Sequence, residues 1–368
     1  MKVLFLARPE KHPATRYRVL QFLPLLRERG IEAAFEPFPE TKTGFGWLRL
    51  MREKGSQDVL VIQKKRLGRF ALWAIRRRCG RLLYDLDDAV MFNSTRHATP
   101  DNPRRMAAFK RMVESVDGVI VGNRYLEAIV REFNQHLWVV PTSIDTGKYR
   151  PRAAYDLRAG TGGTPVPHGA PPSVIPAKAG IQTPVLAGAV LGWIGGRKSL
   201  SLLKPLLPVL EKLAKSFTGL TLKIIGAPSA EGELPAQGPL RIVCKPWSEA
   251  EEAADVASFD LGLAPLPDHP WAAGKCATKL LQCMAAGVPC VASPVGAQKE
   301  IVTDGVDGYL ASNDAEWHEK LAALIKAAAL REWLGKAGRR RVEEQYSVAV
   351  NAPRLATILH SAGKRGPW

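Results

Sequence analysis

Lys275 and Lys279 stand four residues apart in LPDHPWAAGKCATKLLQCMAAGVPCVASPVGAQKEIVTDGVDGY, the stretch from Leu266 to Tyr309. Residues three or four apart on a helix share a face, so two ammonium groups at this spacing form a patch suited to an anion. Free N–H groups at a helix start add to it. An anionic small molecule, a phosphate ester above all, fits that chemistry. A second set is Asp85, Asp87 and Asp88 in YDLDDAV. Such acids can stand beside a reacting group, hold a metal, supply a phosphatase nucleophile, or merely bond nearby backbone N–H groups. A third set is Arg16, Tyr17 and Arg18 in ATRYRV. Two guanidiniums flanking a phenol suit a phosphate on an acceptor or donor; arginines that only cap a sheet are the other reading.

The elements that must position these groups follow from periodicity. DLGLAPL, residues 260–266, reads as a buried strand, Thr278 to Ala286 has helical apolar spacing stopped by Gly287, and VPCVAS is a second strand. Pro294 and Gly296 then re-aim the chain into the helical QKEIV. This is a βαβ unit, and open parallel sheets bind ligands outside the carboxyl ends of their strands. KVLFLA begins the chain as a strand, followed by a loop carrying Arg8, Lys11, His12, Arg16, Tyr17 and Arg18, and a helix with Leu20, Leu23, Leu25 and Leu26 inward. No G-x-G-x-x-G follows that strand, so a dinucleotide fingerprint is absent. DVLVIQ, RLLYDLDDAVM and SVDGVIV are further strands. AVLGWIGG opens a second series with Gly195 and Gly196 in its turn, then the helix SLLKPLLPVLEKLAKSF. GLTLKIIG and PLRIVCK are strands, and WSEAEEAADVASF is a helix begun by Ser248, with Trp247 either buried or stacking on a base.

Length and composition set bounds. A chain of 368 residues with 46% hydrophobic and 24% charged residues describes two globular domains. MKVLFLA is too short for a secretory core, and no run reaches the roughly 18 apolar residues of a membrane span. Five cysteines without paired spacing suit a reducing cytoplasm and are expected as core thiols. The net charge is +17, and 28 of the 52 Lys and Arg fall in residues 1–150, against 16 acids. The densest run, residues 64–81, brackets Phe70, Leu72, Trp73 and Ile75 with Lys64, Lys65, Arg66, Arg69, Arg76, Arg77, Arg78 and Arg81. A solvated helix face and contact with an anionic membrane surface both fit it. No nucleic-acid reading motif accompanies the charge, and no nucleic-acid partner is expected.

GKCATKLLQCMAAGVPCVASPVGAQKEIVTDGVDGYLA resembles the donor-binding signature of glycosyltransferase family 4, retaining sugar-nucleotide enzymes of GT-B fold. WVVPTSIDTGKYRP resembles the hinge between the family's halves, and ATRYRV its R-x-R loop. The resemblance implies two Rossmann-like α/β/α domains facing a central cleft. It implies Gly195, Gly196, Arg197, Lys275, Lys279, Gln282, Ser293 and Gly296 as donor-binding, Arg16, Tyr17 and Arg18 as acceptor-binding, and Asp87, Asp88 and Lys279 as catalytic. Asp87 stands where many relatives carry histidine. No metal or cofactor is implied; the partners are a nucleoside-diphosphate sugar and a glycan or lipid-linked acceptor, in cell-surface polysaccharide or glycolipid synthesis at the inner face of the cytoplasmic membrane. The family's two glutamates, which hold ribose and sugar, are replaced by Gln282 and Gly274. YDLDDAV also resembles the nucleophile strand of haloacid-dehalogenase phosphatases, on Asp85 and Asp87, though Ala89 replaces the usual Thr. A sugar-nucleotide-binding protein without activity is a further alternative.

The expected organisation is an acceptor domain at 1–150, an insertion or linker at 151–188, a donor domain at 189–350 and a tail at 351–368 returning to the first domain. The segment from 153 is dense in Gly, Pro and Ala with little periodicity. Within it, IPAKAGI can be encoded by DNA with complementary ends, which suggests a mobile inverted repeat translated in frame; codons that cannot pair would dispose of that idea.

Overall fold

A computed structural model of the protein describes residues 1–39, 44–152, 186, 188–228, 234 and 238–364. The expected insertion, including IPAKAGI, lies outside the described residues but for positions 151, 152, 186 and 188.

Twelve strands form two six-stranded sheets among the described residues. The first sheet holds β1 (Lys2–Ala7), β2 (Glu32–Pro37), β3 (Gln57–Gln63), β4 (Cys79–Leu86), β5 (Gly118–Val121) and β6 (Leu137–Val139), in the order β2-β1-β3-β4-β5-β6. The second holds β7 (Val190–Ile194), β8 (Thr221–Ile225), β9 (Arg241–Lys245), β10 (Leu261–Ala264), β11 (Cys290–Ala292) and β12 (Tyr309–Leu310), in the order β12-β11-β10-β7-β8-β9. Every pairing is parallel. Strands buried on both faces explain the continuous apolar runs DVLVIQ and DLGLA. In each sheet the winding reverses once, between β1 and β3 and between β7 and β10, and at such reversals a crevice opens at the carboxyl edge.

The helix expected after β1 is divided into Pro13–Arg18, a tight turn at Leu20–Phe22, and Leu23–Arg27. Val19, at φ −127°, breaks the first piece, and Pro24 fits at the start of the last because no intrahelical donor is needed there. The helix expected from Ser248 begins only at Glu252.

The last helix, Val348–Gly363, lies on the first sheet. Its Val348, Ala352, Leu355 and Leu359 share a buried cluster with Val3, Phe5, Val61, Leu83 and Ile120. The chain therefore crosses between the halves twice, once after β6 and once before this helix. None of the five cysteines is in a disulfide, and Cys276, Cys283 and Cys290 are buried.

Gly192 in β7 is a packing requirement, since a Cβ there would fall 1.9 Å from the Phe259 ring. Gly192→Ala should lower stability by about 1–3 kcal/mol through overpacking. Urea unfolding measures this, and an unshifted midpoint would mean the ring is free to yield.

Candidate functional site

The reversal between β7 and β10 places Gly195 beside the start of the helix Thr278–Ala285. A Cβ on Gly195 would lie 2.2 Å from Lys279 Nζ and 2.6 Å from the Trp193 ring. The Lys279 ammonium sits 3.8 Å from the centroid of that ring, a cation–π contact. It has no carboxylate partner among the described residues. Burial, and next the charge of Lys275, push its pKa down to about 7. Lys275 lies 3.7 Å from the Trp271 ring centroid and 3.9 Å from Asp88 Oδ1 across the cleft. Gly196, Arg197 and Lys198 are exposed in the turn that follows β7.

The opposing wall is built at the carboxyl ends of β3 and β4. Lys64 Nζ lies 2.8 Å from Asp88 Oδ2 and 3.5 Å from Asp87 Oδ1. Burial alone would raise the Asp88 pKa, but Lys64 and Lys275 outweigh it and hold the carboxyl below its ordinary value. Asp87 Oδ1 and Asp88 Oδ1 are buried without a hydrogen bond. His12 accepts from Ala14 N through Nδ1, and burial, Arg8 and Lys64 lower its pKa.

The three residues expected to bind an acceptor are committed to other work. Arg18 donates to both oxygens of Asp85, through Nε at 3.2 Å and through its second terminal nitrogen, and to Val140 O at 2.6 Å. Burial opposes the Arg18 charge, and Asp85 outweighs it. Arg18 is therefore a structural ion pair, and Asp85, with both oxygens taken, is corrected from phosphatase nucleophile to its partner. Arg16 crosses to the second domain, pairing with Glu249 at 3.0 Å and Glu252 at 2.5 Å and lying over the Trp247 ring at 4.9 Å. Tyr17 is buried, its hydroxyl 2.6 Å from that of Tyr149. Gln282, expected at a ribose, closes the same network: its Nε2 lies 2.8 Å from Tyr17 Oη, 2.7 Å from Tyr149 Oη and 3.1 Å from Glu252 Oε1. Of the two ends of the Gln282 amide, only the nitrogen can face an acceptor-only carboxylate. A glutamate at 282 would set a second buried acid against Glu252, which gives the glutamine a physical reason.

Gly274 has a comparable reason. A Cβ there would fall 2.4 Å from Ala89 Cβ and 2.6 Å from Ala89 N, so no glutamate fits while the halves touch. Beyond it, Cys276 enters the core of the first domain and its thiol donates to Asp87 O at 3.3 Å. Asn123 donates to Lys275 O at 3.2 Å. Ala277 then takes a left-handed backbone, φ 52°, and Lys64 opposite has φ 56°. They are the only non-glycine residues at positive φ among the described residues, each costing about 1–2 kcal/mol. Strain of this kind collects where side chains are held for function.

Ser293 accepts from Leu266 N at 2.9 Å, tying the two loops together. Gly296 has φ 53°, and a Cβ would meet Ala273 O at 2.2 Å. A cavity of about 620 Å³ opens beside this loop, lined by Arg124, Cys276, Leu281, Glu300 and Tyr346 among others. Neither Lys275 nor Lys279 lines it; Lys279 stands instead at the sheet reversal, beside Gly195.

The sequence reading missed Lys64 as a site residue, missed Glu252, Tyr149 and Asn123 altogether, and marked Ala89 only as a departure from the phosphatase pattern. A lysine just past β3 opposite two aspartates was a usable signal; the others carry none, because their partners are distant in the chain. Arg18→Leu should cost about 3–5 kcal/mol by stranding Asp85. Urea unfolding checks this, and an unchanged midpoint would return Arg18 to a surface role.

Residues 189–327 match the family model of glycosyl transferases group 1. No curated protein matches the chain. Among solved structures, HepE of Anabaena in complex with UDP and glucose is 17% identical, with a TM-score of 0.65 over 98% of this chain and 100% of that one. Sucrose-phosphate synthase from Thermosynechococcus elongatus is 13% identical, with a TM-score of 0.70 over 98% of each chain. A glycosyltransferase from Rickettsia africae is 12% identical, with a TM-score of 0.67 over 99% of each. Together with the two parallel sheets these likenesses give the architecture: the chain has the GT-B fold, two Rossmann-like domains facing a cleft, and its second half carries a glycosyl transferases group 1 domain.

Proposed function

We propose that the protein is a retaining glycosyltransferase that moves a sugar from a nucleoside-diphosphate donor to an acceptor hydroxyl. The observation that carries this reading is the Lys279 ammonium, held on the Trp193 ring at the sheet reversal with no acid among the described residues to neutralise it. A cation kept unpaired in a partly buried place is costly. A departing diphosphate offsets that cost, since its charge grows as the bond to the sugar breaks. Lys275 and Arg197 stand in the neighbouring loops to share the load. UDP is the first nucleotide to test, because the HepE and TarM structures hold it.

In this scheme the acceptor oxygen bonds to the anomeric carbon on the face that the diphosphate leaves. The acceptor proton passes to the departing phosphate oxygen, so no carboxylate nucleophile and no metal is called for. Asp87 and Asp88, charge-balanced by Lys64, orient the acceptor and stabilise positive charge on the sugar ring. A glycan or lipid-linked acceptor of the cell surface suits the basic first domain. The alternative of a nucleotide-sugar-binding protein without activity draws on one observation, the absence of any side chain at Gly274 against Ala89. Product formation with any donor rules that alternative out.

Lys279→Ala should lower turnover roughly a hundredfold, the usual cost of removing one group that stabilises developing charge. Unchanged kinetics would take Lys279 out of the site. The pH behaviour has a definite sign. With a folded pKa of about 7 against an ordinary 10.5, Lys279 binds fewer protons folded than unfolded between those values. Its penalty on stability is therefore full below about 7 and fades as pH rises toward 10.5. Nucleotide affinity runs the other way, falling above about 7 as the ammonium is lost. Titration calorimetry across that range should show proton uptake on binding that Lys279→Arg abolishes; an equally sloped Lys279→Arg profile would assign the effect elsewhere.

A further inference from the structure

The run at 64–81 does not act as one basic patch. Lys64 is in the cleft, Lys65 lies over the Phe38 and Trp47 rings at 4.5 and 5.2 Å, and Arg66 reaches Arg105 O at 3.4 Å. What remains is the helix Arg69–Arg76 and the turn after it. Ala71, Leu72, Ala74 and Ile75 bury one side of this helix. The other side presents Phe70, 49% exposed, and Trp73, 45% exposed, with ring centroids 5.4 Å apart. Besides Val306, they are the only large apolar side chains exposed among the described residues.

Arg77 lies over the Trp73 ring at 4.5 Å. Arg69, Arg77 and Arg78 are exposed and have no carboxylate partner among the described residues. At the end of the helix a cavity of about 260 Å³ is lined by Arg77, Arg78, Arg81 and Lys364, and its one acid, Asp58, already accepts from Lys2 N at 2.7 Å. Arg81 is shared with Asp117 at 3.6 Å.

Two adjacent aromatic rings ringed by unpaired guanidiniums match the boundary of an anionic bilayer, where rings enter the headgroup layer and cations meet phosphate. No helix among the described residues is long and apolar enough to cross a membrane, so contact here is from the side. We propose that Arg69–Arg78 is a docking face for an anionic phospholipid surface, with Phe70 and Trp73 inserted and the Arg77–Arg78–Lys364 cavity receiving a phosphate headgroup. The helix runs from the carboxyl end of β3 to the start of β4, so the cavity lies at the edge of the first sheet away from the cleft.

The test is flotation of the full chain with vesicles of phosphatidylcholine alone and of phosphatidylcholine with phosphatidylglycerol. Binding is expected only to the second, and is expected to weaken with salt. Arg77→Ser with Arg78→Ser should lower partitioning by about twenty-five-fold, at roughly fivefold for each basic residue near an anionic surface. Phe70→Ser with Trp73→Ser should lower it by about tenfold or more through lost apolar burial. Both variants change exposed side chains and should keep the melting temperature and the thermal shift given by UDP. Lost vesicle binding with an intact UDP response thus separates docking from the donor site. Equal binding to both vesicles, or variants that partition like the parent, would overturn the proposal. So would retention on a single-stranded oligonucleotide without vesicle binding, which would assign the face to nucleic acid.

Discussion

Glu252 is the acid on which the two halves of the molecule meet. It receives Arg16 from the first domain, Trp247 Nε1 at 3.0 Å and Gln282 at 3.1 Å from its own, with Lys148 of the hinge at 3.8 Å. A buried carboxylate is tolerable only when its charge is matched and its lone pairs are filled, and here both conditions require residues from both halves. Tyr17 and Tyr149 complete the network through Gln282, so every member depends on the halves being closed. A buried polar network of this kind rigidifies when it is fully satisfied and is costly when it is not. The same closure is held elsewhere by Cys276 on Asp87 O, Asn123 on Lys275 O and Gly274 against Ala89.

The site chemistry follows from what that closure leaves over. Asp85, Asp88 and Glu252 are each matched by a cation, through Arg18, Lys64 and Arg16. Lys279 is not matched, and stands on an aromatic ring whose face is only weakly negative. Among the described residues these acids are neutralised by the protein's own cations, while the Lys279 ammonium has no carboxylate partner. Lys275 is poised between the two conditions, 3.9 Å from Asp88 in the loop that leads into the helix of Lys279. The two left-handed residues, Ala277 and Lys64, belong one to each half. Their strain is borne by packing around them, including the Cys276 side chain in the first domain's core.

The replaced glutamates read differently in this light. A glutamine at 282 and a glycine at 274 weaken a resemblance when they are seen as letters in a pattern. In the folded chain, the glutamine is the amide that Glu252 requires, and the glycine is the space that Ala89 occupies. Both substitutions answer contacts between the domains. The carboxylate that the pattern lacks at 282 is present in the same buried cluster, supplied from the helix Glu252–Ala257.

Local order was written in the chain. Apolar runs of strand length, glycines after helices and the βαβ spacing around Lys279 follow from the two periods of secondary structure, which are short-range properties. The parallel direction of the strands, and a place for Lys279 near their carboxyl edge, were legible for the same reason, since a βαβ unit turns its loops to that edge. Arg16, Tyr17 and Arg18 show the limit. Their types are those of a phosphate site, and nothing nearby in the chain reveals that Arg18 will find Asp85, or that Arg16 will find Glu252, 236 residues away. Whether a cation is free or spent depends on which acids folding brings within reach, and charge pairing acts over ångströms of space with no regard for distance along the chain. That is why the folded arrangement alone separates Lys279, which has no carboxylate partner among the described residues, from the arginines that hold the protein together.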